Sequence, residues 1–215
     1  CGIRSGNTGA HRYQMTEEEV IEAAMSAYKY RYGSVVIQSG ERDDKQFVDA
    51  INRMVKTIKE KSDNKLGITL SVGEHTEDTY RQFSESGAHR FLLRVETTNP
   101  ELYKRLHPAD HSFEYRIECL KRLQRAGYQT GTGVMIGLPF QTMEDLARDL
   151  LFFKEIDIDM VGMGPYIEHE KTPLYEEKDN LMPKQDRFNL ALRMIAILRI
   201  LMKDINIAAA TALQA

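Results

Sequence analysis

The chain has 215 residues, of which 42% are hydrophobic, so it can bury a core of one domain or at most two. Its formal net charge of −3 gives no electrostatic reason to bind nucleic acid or an anionic membrane surface. No signal peptide is evident, and the longest apolar run, Leu190 to Met202, is interrupted by two arginines. We therefore expect a cytoplasmic protein that binds neither nucleic acid nor membrane.

Helices and strands alternate through the first part of the chain. Thr16 begins a capping box that opens a helix ending near Gly33, and residues 34–38 follow as a strand. This strand runs into the turn Ser39-Gly40-Glu41. A helix over residues 45–61 and a strand over residues 68–73 come next, and Thr69 shares a face of that strand with Ser71. A helix from residue 76 to about residue 87 completes this part.

The strand predicted over residues 90–96 combines a buried apolar run with charge at its carboxyl end. Because strand side chains alternate between faces, Arg94 and Glu96 are expected to point the same way. Charges at the carboxyl end of a buried parallel strand indicate a site, whereas the alternative is a structural ion pair. This segment alone leaves both interpretations open.

The second part of the chain continues the alternation. A short helix starts at Asn99-Pro100, and a longer one over residues 112–127 carries Arg116 in its first turns. A glycine-rich strand over residues 129–137 contains Met135, and its glycines suit the close approach of a ligand or of another backbone. Helices over residues 142–157 and 185–202 and strands over residues 160–167 and 205–213 follow.

Strands that alternate with helices, without hairpin signals, predict a parallel α/β sheet with right-handed crossovers. An open doubly wound sheet and a barrel are both compatible with this order. Polar or glycine-rich residues recur at nearly every strand tip, which favours a ring of tips around one barrel mouth. A complete barrel needs eight strands and about 250 residues. We therefore predict a partial TIM-type (β/α) barrel that lacks its first and last units.

Five segments, spread along the whole chain, resemble segments of a known superfamily and occur in the same order. They are the opening Cys1-Gly2-Ile3-Arg4, the turn Gln38-Ser39-Gly40-Glu41, and the segments 92–97, 131–139 and 160–165. Together they resemble the radical S-adenosylmethionine (SAM) superfamily, and within it they are most similar to a family that matures the active-site cofactor of [FeFe]-hydrogenase. The resemblance implies that residues 1–215 are one radical SAM barrel core, beginning at the last cluster cysteine and ending after the penultimate strand.

The resemblance also implies the cofactors. In this superfamily three cysteines of a CxxxCxxC loop hold a [4Fe-4S] cluster, SAM binds the fourth iron, and reductive cleavage of SAM yields a 5′-deoxyadenosyl radical. By resemblance Cys1 is the third of these cysteines, a catalytic and metal-binding residue. The other two would lie upstream of the given sequence, so this piece alone is expected to be inactive. The second cysteine, Cys119, lies within a predicted apolar helix face and is interpreted as a buried structural thiol.

Seven residues are implied to contact SAM. The turn Ser39-Gly40-Glu41, with Gln38 beside it, would receive the SAM amino group. Glu96 suits ribose hydroxyls or an ammonium group, and the Arg116 guanidinium suits a bidentate contact with the methionyl carboxylate. Met135 would pack near the sulfonium or the adenine, although a methionine that fills a core gap is the commoner interpretation.

Three further residues are implied to bind the substrate. Arg94, Thr69 and Thr211 would anchor a substrate carboxylate, or an iron complex that bears cyanide or carbonyl ligands. The sequence departs from the family where Ala210-Thr211 replaces a Thr-Thr pair and where Arg42-Asp43-Asp44 replaces Asp-Pro after the turn. Expected partners are a small-molecule or iron-complex substrate, other hydrogenase maturation proteins and an electron donor.

Three functional hypotheses remain open at this point. The first is a radical SAM enzyme of hydrogenase maturation. The second is another radical SAM enzyme, of the biotin synthase or methylornithine synthase type. The third is a noncatalytic scaffold that has kept the barrel and lost the cluster. Two cysteines upstream, at the spacing of the CxxxCxxC pattern, would support catalysis, and their absence would support the scaffold.

Overall fold

The computed structural model describes residues 2–213. Its α-helices are α1 Glu17–Lys29, α2 Lys45–Lys61, α3 Glu77–Glu85, α4 Pro100–Leu106, α5 Phe113–Arg125, α6 Met143–Glu155 and α7 Lys184–Leu201. Its β-strands are β1 Ser34–Gln38, β2 Gly67–Ser71, β3 Arg90–Leu92, β4 Gln129–Thr132, β5 Met135–Ile136, β6 Met160–Gly162, β7 Gly164–Pro165 and β8 Asn206–Ala208. Short 3₁₀ helices cover Pro173–Asn180 and Thr211–Leu213. Among residues 2–213, no helix has both the length and the apolar character that a bilayer crossing requires.

The chain divides into two compact units. The β1–β4 unit comprises residues 14–93 and 114–131, and therefore also holds α1, α2, α3 and nearly all of α5. The β5–β8 unit comprises residues 94–113 and 132–213, together with the segment that ends at residue 13. It contains α4, α6, α7 and both 3₁₀ helices.

In the β1–β4 unit each strand pairs with the next in parallel, as the alternation of helices and strands predicts. Val36 is in register with Thr69, Leu70 with Phe91, and Phe91 with Thr130. The middle of β2 is buried on both faces, which is typical of a parallel sheet covered by helices. Helix α2 is capped by Asp44, and its buried residues recur at helical spacing: Val48, Ile51, Met54, Val55 and Ile58.

In the β5–β8 unit the strand pairs are also parallel, β5 with β7 and β6 with β8. The sequence predicts a helix from residue 142, and in the structure Thr142 caps α6 and forms a capping box with Asp145. Its side chains Leu146, Leu150 and Phe153 are buried at helical spacing. Local sequence signals therefore define where this helix starts and which face it buries.

Several predicted strands are shorter than expected: the one predicted over residues 68–73 ends at Ser71, and the one predicted over residues 129–137 divides into β4 and β5. The strand predicted to reach Glu96 ends at Leu92, and Glu96 lies beyond it in a left-handed backbone conformation with φ of 64°. The strand predicted over residues 160–167 splits into β6 and β7. The strand predicted to reach residue 213 ends at Ala208, and the alanine-rich sequence after it favours a helical turn over an extended strand.

Candidate functional site

The turn after β1 lies at the surface of the β1–β4 unit. Ser39 N donates a hydrogen bond to Ser71 O at 3.2 Å, which ties the turn to the end of β2. The Ser39 hydroxyl donates to Gly40 O at 2.8 Å. Gln38, Ser39 and Gly40 are exposed, and a Cβ added at Gly40 would have no atom within 4 Å. The turn predicted to receive the SAM amino group is therefore open to an incoming ligand.

Arg116 is held by two carboxylates of the same unit. Its side chain is buried, Nη2 lies 3.1 Å from Glu41 Oε1, and Nε lies 2.8 Å from Glu74 Oε1. Gly73 permits this arrangement, because a Cβ there would approach Glu41 Cγ to 2.4 Å. The structure thus brings together two predicted SAM contacts, Arg116 and Glu41, and adds Glu74, which the sequence did not single out.

Thr69 lies in the middle of β2 and is buried. Burial of a threonine on a central parallel strand suits either a polar cavity contact or ordinary packing. The alternation of faces along β2 places Thr69 on the same face as Ser71, as predicted.

Arg94 and Glu96 form an ion pair in the β5–β8 unit, with 2.9 Å between Arg94 Nη2 and Glu96 Oε2. The expected shared direction is therefore observed, although both residues follow the end of β3. Arg94 Nη2 also donates to Val134 O at 2.9 Å. Within residues 2–213, Glu96 Oε2 and Arg94 Nε are buried without a well-formed hydrogen bond. Both groups therefore keep unused hydrogen-bonding capacity, which an incoming ligand can meet.

Met135 is joined to Glu96 through the backbone, because Met135 N donates to Glu96 O at 3.0 Å. The same residue is half-buried and packs against a core cluster of Leu102, Leu138 and Tyr166. The structure therefore brings two predicted SAM contacts into adjacent positions. It also shows Met135 filling the core, which is the commoner role of a methionine.

Thr211 does not lie on a strand, which corrects the prediction. It opens the 3₁₀ helix Thr211–Leu213 and is exposed. Its predicted role in binding substrate relied on a strand side chain that faces inward, and that geometric basis is absent.

The glycine-rich segment after β4 has a packing explanation at Gly133. A Cβ there would lie 1.8 Å from the carbonyl oxygen of Gly162. Of the two predicted reasons for these glycines, the close approach of another backbone accounts for Gly133 without a ligand.

Sequence reasoning missed a group of polar residues at the start of α6. The Gln141 side chain accepts from Gly137 N at 2.7 Å and donates to Met135 O at 3.0 Å. Asp149 accepts from Thr98 N at 2.7 Å and from the Thr98 hydroxyl at 2.6 Å. Asp149 stands three residues after Leu146 on the face that α6 buries, so a carboxylate at an apolar position was the signal available in the sequence.

In each unit taken by itself, side chains have the chemistry to contact SAM. A buried carboxylate oxygen on Glu96 can accept from a hydroxyl or an ammonium group, and a guanidinium such as that of Arg116 can pair with a carboxylate. Cys1, the predicted cluster ligand, lies outside the described residues. Within residues 2–213, no group of three or more His, Cys, Asp or Glu side chains is placed to hold a metal ion. Cys119 is buried, and its thiol donates to His75 O at 3.8 Å, as expected for a structural thiol.

The chain is similar in sequence to known proteins and in fold to a solved structure. It is 48% identical to the [FeFe] hydrogenase maturase subunit HydE of Thermotoga maritima, over 99% of this chain and 58% of that protein. It is 25% identical to a biotin synthase of Bacillus thuringiensis, over 86% of this chain and 53% of that protein. The crystal structure of methylornithine synthase (PylB) matches with a TM-score of 0.78 and 27% identity, over 92% of this chain and 56% of that one. The chain thus spans little more than half the length of these relatives.

The structural match confirms the predicted fold class, an α/β partial barrel of the TIM type built from parallel strands and helices. The sequence model of the radical SAM superfamily matches residues 1–153, which is well over half of the chain. This chain belongs to the radical SAM superfamily.

Proposed function

We propose that the protein containing this chain is a cytoplasmic radical SAM enzyme that reductively cleaves SAM and acts in maturation of the [FeFe]-hydrogenase active-site cofactor. The observation that carries the proposal is the 48% identity with HydE over 99% of the chain. Identity with the biotin synthase is 25% and with PylB 27%, so the maturase is favoured over the biotin synthase and methylornithine synthase types.

The proposed cofactors are a [4Fe-4S] cluster, with Cys1 as one ligand, and SAM. When bound, they supply reductive cleavage of SAM to a 5′-deoxyadenosyl radical. The proposed role of the chain's own residues is to bind, orient and enclose SAM and the substrate.

Seven residues are proposed to contact SAM: Gln38, Ser39, Gly40, Glu41, Arg116, Glu96 and Met135. In the β1–β4 unit, the open turn Ser39-Gly40-Glu41 with Gln38 offers polar backbone and side-chain groups to the amino group. Arg116 pairs with the methionyl carboxylate, which takes the place of one of the carboxylates now beside it, Glu41 at 3.1 Å. In the β5–β8 unit, Glu96 accepts from ribose hydroxyls or an ammonium group, and Met135 packs beside it.

The proposed substrate contacts are Arg94 and Thr69. Arg94 is the stronger of the two, because its guanidinium is partly buried and its Nε has no hydrogen-bond partner among the described residues. An anionic substrate or an iron-bound cyanide would meet that donor. The proposed partners are this small-molecule or iron-complex substrate, other hydrogenase maturation proteins and an electron donor.

The test of SAM chemistry uses the full native gene product, reconstituted anaerobically with iron and sulfide, reduced and given SAM. Chromatography of 5′-deoxyadenosine is the readout, and Cys1→Ala is the control. We expect product from the wild type and none from the control. Absence of product from a wild-type protein that demonstrably holds a cluster would overturn the catalytic proposal.

A second experiment separates the maturase from its relatives. Apo-hydrogenase is matured in a cell-free extract that lacks this protein, and hydrogen evolution is measured after adding the wild type or Cys1→Ala. We expect activity to depend on the wild type. A protein that cleaves SAM but leaves hydrogenase inactive would point to another radical SAM reaction.

A further inference from the structure

The turn that follows Glu96 is held by carboxylates of α6, within the β5–β8 unit. Asp149 Oδ1 accepts two hydrogen bonds from Thr98, from its N–H at 2.7 Å and from its hydroxyl at 2.6 Å. One turn earlier on α6, Asp145 Oδ1 accepts from the Asn99 amide at 2.9 Å. Two consecutive residues of the turn are therefore fixed to one helix.

Asp149 is placed there at a cost in stability. The residue is fully buried, and its Oδ2 has no hydrogen-bond partner among the described residues. Burial raises the pKa of its carboxyl to about 6, and nearby Asp145 adds to the rise, against the lowering by the bonds from Thr98. A buried carboxylate with an unused oxygen is unfavourable for folding. Its presence here therefore calls for an explanation, and the position that it fixes offers one.

The residue that this turn supports is conformationally strained. Glu96 has φ of 64°, a left-handed conformation that is unfavourable for a non-glycine residue and persists only where the surroundings fix it. Upstream of the turn, Glu96 N donates to Gly133 O at 2.9 Å, and Met135 N donates to Glu96 O at 3.0 Å. Downstream, Thr97 is fully buried and Thr98 is bound by Asp149. The conformation of Glu96 is thus set by the segment after β4 on one side and by α6 on the other.

We propose that Asp149 is a positioning residue that holds the Glu96 carboxylate, through Thr98, in the place where it receives SAM. The inference rests on the proposed function, because it concerns the same cofactor site. Asp149 does not itself touch the ligand in this proposal. Its effect on SAM is transmitted through the backbone from Thr98 to Glu96.

The test measures SAM affinity in the full native gene product with its cluster reconstituted. Equilibrium dissociation constants are determined for the wild type and for Asp149→Asn, Asp149→Ala and Glu96→Ala. We expect Asp149→Ala to weaken SAM binding about tenfold, as loss of a supporting residue typically does. Asp149→Asn should stay close to the wild type, because its amide oxygen can accept both bonds from Thr98.

A matched control distinguishes positioning from simple destabilisation. Leu150 neighbours Asp149 on α6 and is buried, so Leu150→Ala lowers stability without removing a bond to Thr98. At a temperature well below both unfolding transitions, we expect Leu150→Ala to bind SAM like the wild type. Equal loss of SAM affinity in Leu150→Ala and Asp149→Ala would overturn the proposal.

The double variant Glu96→Ala/Asp149→Ala gives a readout that a purely structural role would not produce. If Asp149 acts through Glu96, the double variant binds SAM no more weakly than Glu96→Ala alone. Independent, additive losses would contradict the inference. Thr98→Val, which removes only the hydroxyl bond, carries the test if Asp149→Ala does not fold, and unchanged SAM affinity in that variant would count against the proposal.

The outcomes also separate this inference from the proposed function. A wild-type protein that holds a cluster and does not bind SAM overturns both. A wild type that binds SAM, with weaker binding in Glu96→Ala and unchanged binding in Asp149→Ala, overturns the positioning role alone.

Discussion

The carboxyl group of Asp149 links one residue to the pH dependence of the whole fold. Burial raises its pKa from 3.8 to about 6 in the folded state. Because the folded protein then binds this proton more tightly than the unfolded chain does, the stabilising contribution is complete below about pH 4 and is lost as the pH rises through about 6. This is the reverse of the usual behaviour of a carboxylate in an ion pair.

We expect Asp149→Asn to remove this contribution to the pH dependence. Relative to the wild type, the free energy of unfolding of the variant should rise by up to about 3 kcal/mol between pH 4 and pH 6.5, because an amide does not ionise. Urea denaturation at a series of pH values measures the difference. A difference that stays flat across this range would show that Asp149 does not titrate as its burial implies.

At the scale of elements, the packing of Gly133 against β6 leaves no room for a side chain. A Cβ at Gly133 would lie 1.8 Å from Gly162 O, whereas a Cβ at Gly162 would meet only Ala208 Cβ, at 4.0 Å. The two glycines face each other, yet only Gly133 is confined by backbone. Backbone cannot move aside as a flexible side chain can.

We therefore expect opposite tolerance at the two glycines. Gly133→Ala should lower the free energy of unfolding by about 1–3 kcal/mol or more, as overpacking does. Gly162→Ala should change it by less than about 0.5 kcal/mol. Thermal or urea unfolding of both variants gives the comparison, and equal stabilities would contradict the close contact.

At the scale of the whole molecule, SAM binding should stabilise the reconstituted native protein. A ligand that binds only the folded state at 100 times its Kd adds about 2.7 kcal/mol to the free energy of unfolding. We expect anaerobic calorimetry to show a higher Tm with SAM. Arg116→Lys should reduce the shift, because an ammonium group cannot make the bidentate contact of a guanidinium with a carboxylate. The same Tm shift in the wild type and in Arg116→Lys would exclude the proposed bidentate contact.

The sequence by itself determined the α/β class, the radical SAM family and the starts of several helices. Those starts depend on local signals: Thr16 and Thr142 form capping boxes, and Asn99 caps α4. Hydrophobic spacing identified the buried faces for the same reason, since it involves residues a few positions apart. The ion pair of Arg94 and Glu96 matches the predicted shared direction, although both residues lie beyond β3, where the alternation of strand side chains does not apply.

Only the tertiary structure decided where strands end and which groups meet. Strand β3 ends at Leu92, Glu96 adopts a left-handed conformation beyond it, and Thr211 lies in a helical turn instead of on a strand. The partners of Arg116 and Thr98 stand 75 and 51 residues away along the chain, at Glu41 and Asp149. Local pattern carries no information about such distant contacts, because they arise only when packing brings the elements together.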